Sequence, residues 1–344
     1  MPDDYMPSWL SYTLSATGLA SAAGAVMLYL YQSDLLYLPS HPEGSRTEVP
    51  KPSQYGMPYV EETLTTKDGV KIKSYIITLK DEQAAKNAPT IIYHHANAGN
   101  MGHRLPIAQV FYEKFNANVV MLSYRGYGLS EGSPSDKGLR IDSQTMLDYV
   151  RAHPILGKTK IIAYGQSLGG AVAIDVVARN PDAFAGLMIE NTFLSVPKMI
   201  PHVVPMLKNL TWLCHLNWPS ENNIRQIVKT PILFLSGAKD ELVPPSHMKG
   251  LYNASQTRAT KVWKEFANGT HNDTCIQPGY FSAIRDFLAD IRDDQLEPIQ
   301  QQAAPSKTDK VKLQSEGEEK FQLVSGVADA EGMTHSFRFE EEED

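Results

Sequence analysis

The stretch IIAYGQSLGGAVAIDVV, residues 161–177, places a serine between glycines where an apolar strand pattern gives way to a helical one. The first six residues form a short apolar run, which is typical of a buried strand in a parallel sheet. From Leu168 onward, small and apolar residues continue as a buried helix. Ser167 therefore lies on the tight turn between the two. Either this turn happens to contain a serine, or it holds a nucleophile.

The GxSxG pattern on this turn is a weak signal by itself, because glycine and serine are common residues. Its position between a buried strand and a helix is the setting of a nucleophile elbow, a strained turn that lifts the serine Oγ above the sheet edge. Gly165 and Gly169 are expected to be glycines because side chains there would strike the neighbouring strand and helix. We predict that Ser167 is a nucleophile, and that the helix N-terminus beneath it favours an oxyanion.

The chain around the turn alternates strand and helix patterns, as in an α/β protein. A hairpin of alternating strands comes first, and short buried strands follow in TIIYHH, NVVMLSY, KIIAYG, AGLMIE, PILFLSG and KVWKEF. Helical patterns separate most of them. This order predicts a mostly parallel, doubly wound sheet with one antiparallel edge. Residues 191–229 interrupt the alternation with four prolines, and we predict that they form a short helical lid over a binding cleft.

A serine nucleophile needs a histidine base, and the histidine needs an acid that orients its ring. On this fold the chain order is serine, acid, histidine. Among the histidines after Ser167, only His271 lies in a loop at the carboxyl end of a predicted parallel strand, where catalytic groups converge. Asp240 follows the strand PILFLSG directly and is favoured over Glu241. We predict a catalytic triad of these three, against the alternatives of a structural histidine and a surface aspartate.

The loop HHANAGNMGHR, residues 94–104, supplies small residues after the third strand. Backbone amides in such a loop can approach a substrate, and by position the amide of Asn97 would join that of Leu168 in an oxyanion hole. A metal site at His94 and His95 is the alternative. Successive strand residues point to opposite faces, and no HExxH motif accompanies them, so we predict no metal. His95 is expected to brace the loop by hydrogen bonding, and the chemistry requires no cofactor.

Residues 1–34 are predicted to form a single-pass membrane anchor. No charged residue occurs between Asp4 and Asp34, a length sufficient to cross a hydrocarbon core of about 30 Å as a helix. A cleaved signal peptide is the alternative, although its basic segment is missing. The endoplasmic reticulum or another endomembrane is a candidate location. The side of the membrane on which the rest of the chain lies stays open. A weak positive-inside bias favours the cytosol, whereas N-x-S/T sequons, which a cytosolic protein does not use, occur at Asn209, Asn253, Asn268 and Asn272.

The rest of the chain divides by composition. We predict a linker at 35–58, a hydrolase-type domain at 59–292 and a disordered acidic tail at 293–344, because the tail cannot bury enough apolar area to offset its ordering entropy. The tail carries 14 acidic and 5 basic residues, which leaves the remaining chain nearly neutral and argues against a nucleic-acid partner. The two cysteines form neither a disulfide framework nor a metal-site spacing.

From about residue 59 to residue 288 the chain resembles the α/β-hydrolase superfamily. Within it, the chain is similar to the membrane-anchored bud-emergence (Bem46-like) group and to α/β-hydrolase-domain proteins that include protein depalmitoylases. The motifs that carry the resemblance are HANAGNMGHR, SYRGYGLSEGSPS, YGQSLGGAVAI, ENTFLSV, LSGAKDELVPPSHM and GTHNDT. Ala96 departs from the group, in which a glycine follows the histidine. The resemblance implies Ser167, Asp240 and His271 as the triad, and hydrolysis of an ester or thioester.

The sequence thus predicts a membrane-tethered serine hydrolase that works through an acyl-enzyme. Its expected substrate is an acylated small molecule, a lipid or a lipidated protein, with an S-palmitoylated protein as the leading candidate. The alternative is a catalytically idle scaffold of the same fold that recruits partners at a membrane. The presence of all three catalytic groups in the right chain order argues against the scaffold.

Overall fold

The computed structural model describes residues 8–293, and within this range eight strands form one sheet in the order β1-β2-β4-β3-β5-β6-β7-β8. The strands are β1 (Val60–Thr65), β2 (Lys71–Ile77), β3 (Thr90–His94), β4 (Asn118–Leu122), β5 (Ile161–Gln166), β6 (Gly186–Glu190), β7 (Ile232–Gly237) and β8 (Lys261–Phe266). Strand β2 is antiparallel to both of its neighbours, and all other pairs are parallel. The predicted mostly parallel sheet is therefore confirmed.

The helices lie on both faces of the sheet. They are α1 (Ser8–Leu30), α2 (Gln32–Leu36), α3 (Glu82–Asn87), α4 (Leu105–Glu113), α5 (Asp136–Ala152), α6 (Leu168–Arg179), α7 (Val196–Val203), α8 (Ser220–Ile224), α9 (Pro245–Ala254) and α10 (Tyr280–Asp293). Helices α5, α6, α8 and α9 pack into one apolar core, and α4 and α10 pack into a second core on the opposite face.

Strand residues supply both cores by simple alternation. Ile91 belongs to one core and its neighbour Ile92 to the other, and Ile162 and Ala163 divide in the same way. Successive strand side chains point to opposite faces, so a strand covered on both sides must be apolar throughout. Every residue of β3, β4, β5, β6 and β7 is buried accordingly. The carboxyl ends of these strands meet at one edge, which carries the candidate site.

Helix α1 is 23 residues long and begins and ends within the predicted anchor. The prediction that it spans a membrane is not borne out, because no helix within residues 8–293 has both the length and the hydropathy that a span requires. Its sequence contains four serines, two threonines and two glycines among the apolar residues.

Residues 35–58, the expected linker, lie against the domain. Tyr37 and Met57 are buried, and Leu38 forms an isolated parallel bridge with Ala98. The predicted tail at 293–344 lies outside the described residues except for its first residue, which ends α10.

The insertion, defined as residues 191–229 between β6 and β7, is mostly helical. It contains α7, a 3₁₀-helix at Pro205–Leu213 and α8. The 3₁₀-helix has no buried residue, and Met206 and Trp212 on it are 85% and 76% exposed. Its helical character matches the expectation from sequence, and its function as a lid stays a prediction.

Candidate active site

Ser167 lies on the turn between β5 and α6 with φ +55° and ψ −122°. A residue with a side chain rarely adopts this conformation, so the surrounding structure must impose it. Two hydrogen bonds do so: the Ser167 amide donates to the Glu190 carbonyl at 2.9 Å, and the Ser167 carbonyl accepts from Thr192 Oγ1 at 2.7 Å. The Ser167 side chain makes no capping hydrogen bond to α6, which leaves its hydroxyl available for chemistry.

The glycines around Ser167 allow the strand, the turn and the helix to pack in contact. A Cβ on Gly165 would lie 2.1 Å from the Gly169 carbonyl oxygen, and a Cβ on Gly169 would lie 2.0 Å from the carbonyl oxygen of His94. Real Cβ atoms do not approach backbone oxygens so closely, so only glycine fits at either position. The contact also brings the loop after β3 against the start of α6, where the oxyanion hole was predicted.

His271 and Asp240 form a buried pair at the same edge of the sheet. Their separation is 2.8 Å from Nδ1 to Oδ2, and the residues are 5% and 6% exposed. The other carboxylate oxygen of Asp240 accepts hydrogen bonds from the amides of Leu242 (2.9 Å) and Val243 (2.7 Å). With both oxygens engaged, the carboxylate is fixed in the orientation that holds a proton on His271 Nδ1 and leaves Nε2 as the basic nitrogen.

Two side-chain amides tie the serine turn to the backbone of the histidine loop. The Gln166 amide group donates from Nε2 to the His271 carbonyl at 3.0 Å, and Asn191 Nδ2 lies 3.3 Å from the same oxygen. Within residues 8–293, no hydrogen bond joins the Ser167 hydroxyl to the His271 ring. The structure thus pairs the predicted base with the predicted acid and holds the serine on the adjacent turn, an arrangement common before substrate binds.

Asn191 holds this region together and was not predicted from the sequence. It follows β6 with φ +43°, and its Oδ1 accepts the Gly237 amide at 2.8 Å. Its Nδ2 reaches the Thr270 carbonyl at 3.1 Å and Thr274 Oγ1 at 3.0 Å. One side chain therefore connects the ends of β6 and β7 with the histidine loop. The available signal was a polar residue directly after a buried strand.

Glu190 is a second carboxylate below the site that the sequence analysis missed. It is fully buried and accepts hydrogen bonds from the hydroxyls of Tyr164 (2.6 Å) and Tyr280 (2.5 Å). Burial raises the pKa of the Glu190 carboxyl, and the two tyrosine hydroxyls oppose that shift. Its Oε1 lies 3.5 Å from Gln166 Nε2, so this cluster supports the side chain that holds the histidine loop.

The two predicted oxyanion donors lie where the loop after β3 meets α6. Leu168 is the first residue of α6, where a backbone amide has no carbonyl partner one turn earlier. The side chain of Asn97 is held by two hydrogen bonds: Nδ2 donates to the Leu36 carbonyl at 2.7 Å, and Oδ1 accepts from the Tyr127 hydroxyl at 2.8 Å. The predicted oxyanion donor of Asn97 is its backbone amide rather than this side chain.

His95 braces this loop, as predicted. Its Nδ1 donates to the Ala96 carbonyl at 2.7 Å, and its ring lies 4.2 Å from that of Tyr124. Burial lowers the pKa of His95 to about 3 and that of His94 to about 4, so both are neutral at physiological pH. Among the described residues, no group of three or more histidine, cysteine, aspartate or glutamate side chains is arranged to hold a metal ion.

Comparison with known proteins agrees with the fold. Residues 89–213 match the model of the α/β-hydrolase fold. Over 282 residues the chain is 49% identical to protein Bem46 of Schizosaccharomyces pombe, covering 80% of this chain and 93% of that one. Over 262 residues it is 44% identical to the membrane protein YNL320W of Saccharomyces cerevisiae, covering 76% and 90%.

Among solved structures, the esterase Pf2001 of Pyrococcus furiosus is similar with a TM-score of 0.59 and 18% identity, covering 74% of this chain and 97% of that one. Identity this low supports the fold alone. The extent of the match to Bem46 confirms the resemblance inferred from the motifs. The chain therefore belongs to the α/β-hydrolase family, in its Bem46-like branch.

Proposed function

We propose that this protein is a serine hydrolase that cleaves a carboxylic ester or thioester at a membrane surface. The observation that carries the proposal is the buried pair of His271 and Asp240, 2.8 Å apart, on the sheet edge that also presents the strained turn of Ser167. A structural histidine does not need a buried carboxylate with both oxygens fixed. Membership in the α/β-hydrolase family supports the same chemistry.

The proposed reaction runs through an acyl-enzyme. Ser167 Oγ attacks the acyl carbonyl carbon while His271 Nε2 accepts its proton, and Asp240 stabilises the imidazolium that forms. The tetrahedral intermediate collapses when His271 donates that proton to the leaving oxygen or sulfur. A water molecule, deprotonated by the same nitrogen, then attacks the acyl-serine, and His271 returns that proton to Ser167 Oγ as the C–Oγ bond breaks and the carboxylic acid leaves.

The proposed oxyanion hole consists of the backbone amides of Asn97 and Leu168. Both would donate to the carbonyl oxygen as it becomes negatively charged, and loss of one such donor typically costs about 3 kcal/mol of transition-state stabilisation. The partial positive charge at the N-terminus of α6 acts in the same direction. These donors would need little reorganisation during the reaction, because hydrogen bonds and tight glycine packing already hold the backbone.

Exposed apolar residues support an acyl-chain substrate at a membrane. The insertion exposes Met206 and Trp212, and it contacts the end of α1 through the rings of Tyr29 and His215, 4.8 Å apart. Helix α1 exposes apolar residues of its own, among them Leu19, Val26, Met27 and Leu30. The relative YNL320W is named a membrane protein. We therefore propose a lipid ester or an S-acylated protein as substrate, with a protein palmitoyl thioester as the first to test.

The decisive experiment is labelling with a fluorophosphonate, which reacts covalently with activated serines. The wild type and the control Ser53→Ala, a change at an exposed serine, should be labelled, and Ser167→Ala should not. Hydrolysis of matched acyl oxyesters and thioesters then defines the preferred bond and chain length. A wild-type protein that is folded by circular dichroism but neither labelled nor active would contradict the proposal and support the scaffold alternative.

A further inference from the structure

The loop that carries Asn97 is held from outside the domain core by the end of α1 and the chain segment that follows it. We define the N-terminal strap as residues 29–41. The Leu36 carbonyl accepts from Asn97 Nδ2 at 2.7 Å, and the Leu38 amide donates to Asn97 Oδ1 at 3.4 Å. Leu38 also bridges Ala98, and the His41 carbonyl accepts the Gly99 amide at 2.7 Å. Three consecutive residues of the oxyanion loop therefore contact the strap.

The strap is locked in place by Tyr37, which lies between the two residues that contact Asn97. Its hydroxyl donates to Asp136 Oδ1 at 2.6 Å and accepts from Trp218 Nε1 at 2.9 Å. Tyr37 and Trp218 are 2% and 1% exposed. Asp136 also accepts the amides of Asn217 and Trp218 through its second oxygen, so one hydrogen-bond network joins the strap, the start of α5 and the insertion.

The opposite end of the strap rests on the insertion. Gln32 donates from Nε2 to the Leu213 carbonyl at 2.7 Å and accepts the His215 amide at 2.9 Å. The rings of Tyr29 and His215 are 4.8 Å apart. The strap thus runs without interruption from α1, across the exposed insertion, to the oxyanion loop.

We propose that the N-terminal strap positions the oxyanion loop for catalysis, with Tyr37 and Asn97 as its positioning residues. The inference rests on the proposed serine hydrolase function and adds a site at which the N-terminal helix controls the rate. On the domain side, His95 and the Tyr127 hydroxyl brace this loop, and Arg104 donates to the Ala98 carbonyl at 3.0 Å. The hydrogen bonds from the strap add to these restraints at Asn97 and Gly99, and the backbone amide of Asn97 is thereby held toward the acyl oxygen.

The strap is expected to stabilise the transition state of the reaction more than the bound substrate. An oxyanion donor stabilises the charge that develops during attack far more than it stabilises the uncharged carbonyl of the bound substrate. Loosening the strap should therefore lower kcat and leave KM almost unchanged. A strap that merely supported the fold would instead lower the melting temperature without this split.

Tyr37→Phe is the central variant, because it removes the hydroxyl and keeps the ring. We expect kcat for a soluble short-chain p-nitrophenyl ester, and the rate constant of fluorophosphonate labelling, to fall about ten-fold, with KM within two-fold of the wild type. Tyr59→Phe is the matched control, since Tyr59 packs edge-on against Tyr75 on the antiparallel side of the sheet. Both rates should stay at the wild-type value in the control.

A double-mutant cycle tests whether Tyr37 acts through Asn97. Asn97→Ala keeps the backbone amide and removes every side-chain contact to the strap, so it should lower kcat by at least as much as Tyr37→Phe. In the Asn97→Ala background, Tyr37→Phe should have little further effect, because the route between the two residues is already broken. Additive effects on kcat would overturn the proposal.

The outcomes separate this inference from the proposed function. A folded wild type that fails to label would refute the hydrolase itself. A wild type that labels fully, together with a Tyr37→Phe variant that labels and turns over at the wild-type rate, would refute the strap alone. If Tyr37→Phe proves unstable, Gln32→Ala at the half-buried end of the strap provides the second variant, and wild-type kcat in this variant would also count against the proposal.

Discussion

The Nδ1 atom of His271 lies 2.8 Å from Oδ2 of Asp240, although 31 positions separate the two residues along the chain. Each follows a strand of the parallel sheet, and the two strands, β7 and β8, are neighbours in it. The pair is therefore a direct consequence of strand order. Its burial makes it a defined hydrogen bond, whereas an exposed contact of this kind would be exchanged with water.

Replacement of Asp240 by asparagine should abolish most of the activity and leave the fold intact. The amide would favour the wrong tautomer of His271, and a change of this kind lowers kcat by about 10⁴-fold in a known serine hydrolase. Steady-state ester hydrolysis measures the loss. The control is Asp182→Asn at an exposed salt bridge, which should retain full activity; retention of activity by Asp240→Asn would refute the assignment.

Ser167→Gly should stabilise the protein even though it removes the nucleophile. With φ at +55°, the serine carries backbone strain that glycine does not, and strain of this kind costs about 1–3 kcal/mol. Thermal unfolding should therefore give a higher melting temperature for Ser167→Gly than for Ser167→Ala, which keeps the Cβ. Equal melting temperatures would mean that the turn is relaxed in solution.

Arg125 should contribute more to stability than an exposed arginine. Its guanidinium donates two hydrogen bonds, of 2.8 and 3.0 Å, to the carboxylate of the fully buried Asp142. It also forms an ion pair with a second carboxylate, Asp68, at 2.8 Å. Burial raises the pKa of the Asp142 carboxyl, an effect that Arg125 opposes. Arg125→Met should lower the free energy of unfolding by about 3–5 kcal/mol because it leaves a buried charge unpaired. In urea titrations the control Arg151→Met, at an exposed position, should match the wild type.

The buried histidines should make the protein less stable in acid. Burial lowers the pKa of His94 and His247 to about 4 and that of His95 to about 3, whereas an unfolded chain has a histidine pKa of about 6.5. Below pH 6.5 the unfolded state binds protons that the folded state does not. Each histidine therefore lowers the free energy of unfolding by up to about 1.4 kcal/mol per pH unit as the pH falls from about 6.5 to 4.

Urea titrations at pH 7, 6 and 5 measure this dependence. His247→Gln should show a shallower decline of stability than the wild type, because glutamine binds no proton in this pH range. The variant should keep the local structure, since glutamine can still accept the Leu194 amide that His247 Nδ1 accepts at 3.2 Å. The control is Ser53→Ala at an exposed position, which should keep the wild-type slope. The same slope in all three proteins would show that His247 is already protonated in the folded state at pH 5.

Membrane association should depend on the exposed face of the insertion. The double variant Met206→Ser/Trp212→Ser removes the two most exposed large apolar residues of the 3₁₀-helix, and burial of such side chains contributes about 1.5–3 kcal/mol each. Co-sedimentation with phosphatidylcholine vesicles should fall at least ten-fold. The control Val60→Ser/Leu129→Ser changes exposed apolar residues elsewhere and should bind normally; equal binding by both variants would argue against the insertion as a membrane contact.

Much of the architecture could be predicted because it follows from local patterns of apolar residues along the chain. Central strands are buried on both faces, so their apolar runs stand out along the chain, and each of the six predicted strands is present. The predicted burial of the sixth is wrong: only Phe266 of β8 is buried, because this strand lies at the edge of the sheet. Residues 161–177 illustrate the limit of that success. The pattern indicated the turn, but the approach of Gly169 to His94 depends on β3 lying beside β5, which no local pattern encodes.

The sequence by itself determined the sheet, the serine turn and the chain order of the three candidate catalytic groups, because each follows from apolar periodicity and from residues adjacent in the chain. Only the tertiary structure decided how Asn191 reaches the histidine loop, how Glu190 lies between two tyrosine hydroxyls and how Leu36 holds Asn97. These contacts join polar groups far apart in sequence. Their geometry is set by which strand ends and loops pack together, and a polar residue in a loop gives no local sign of its partner.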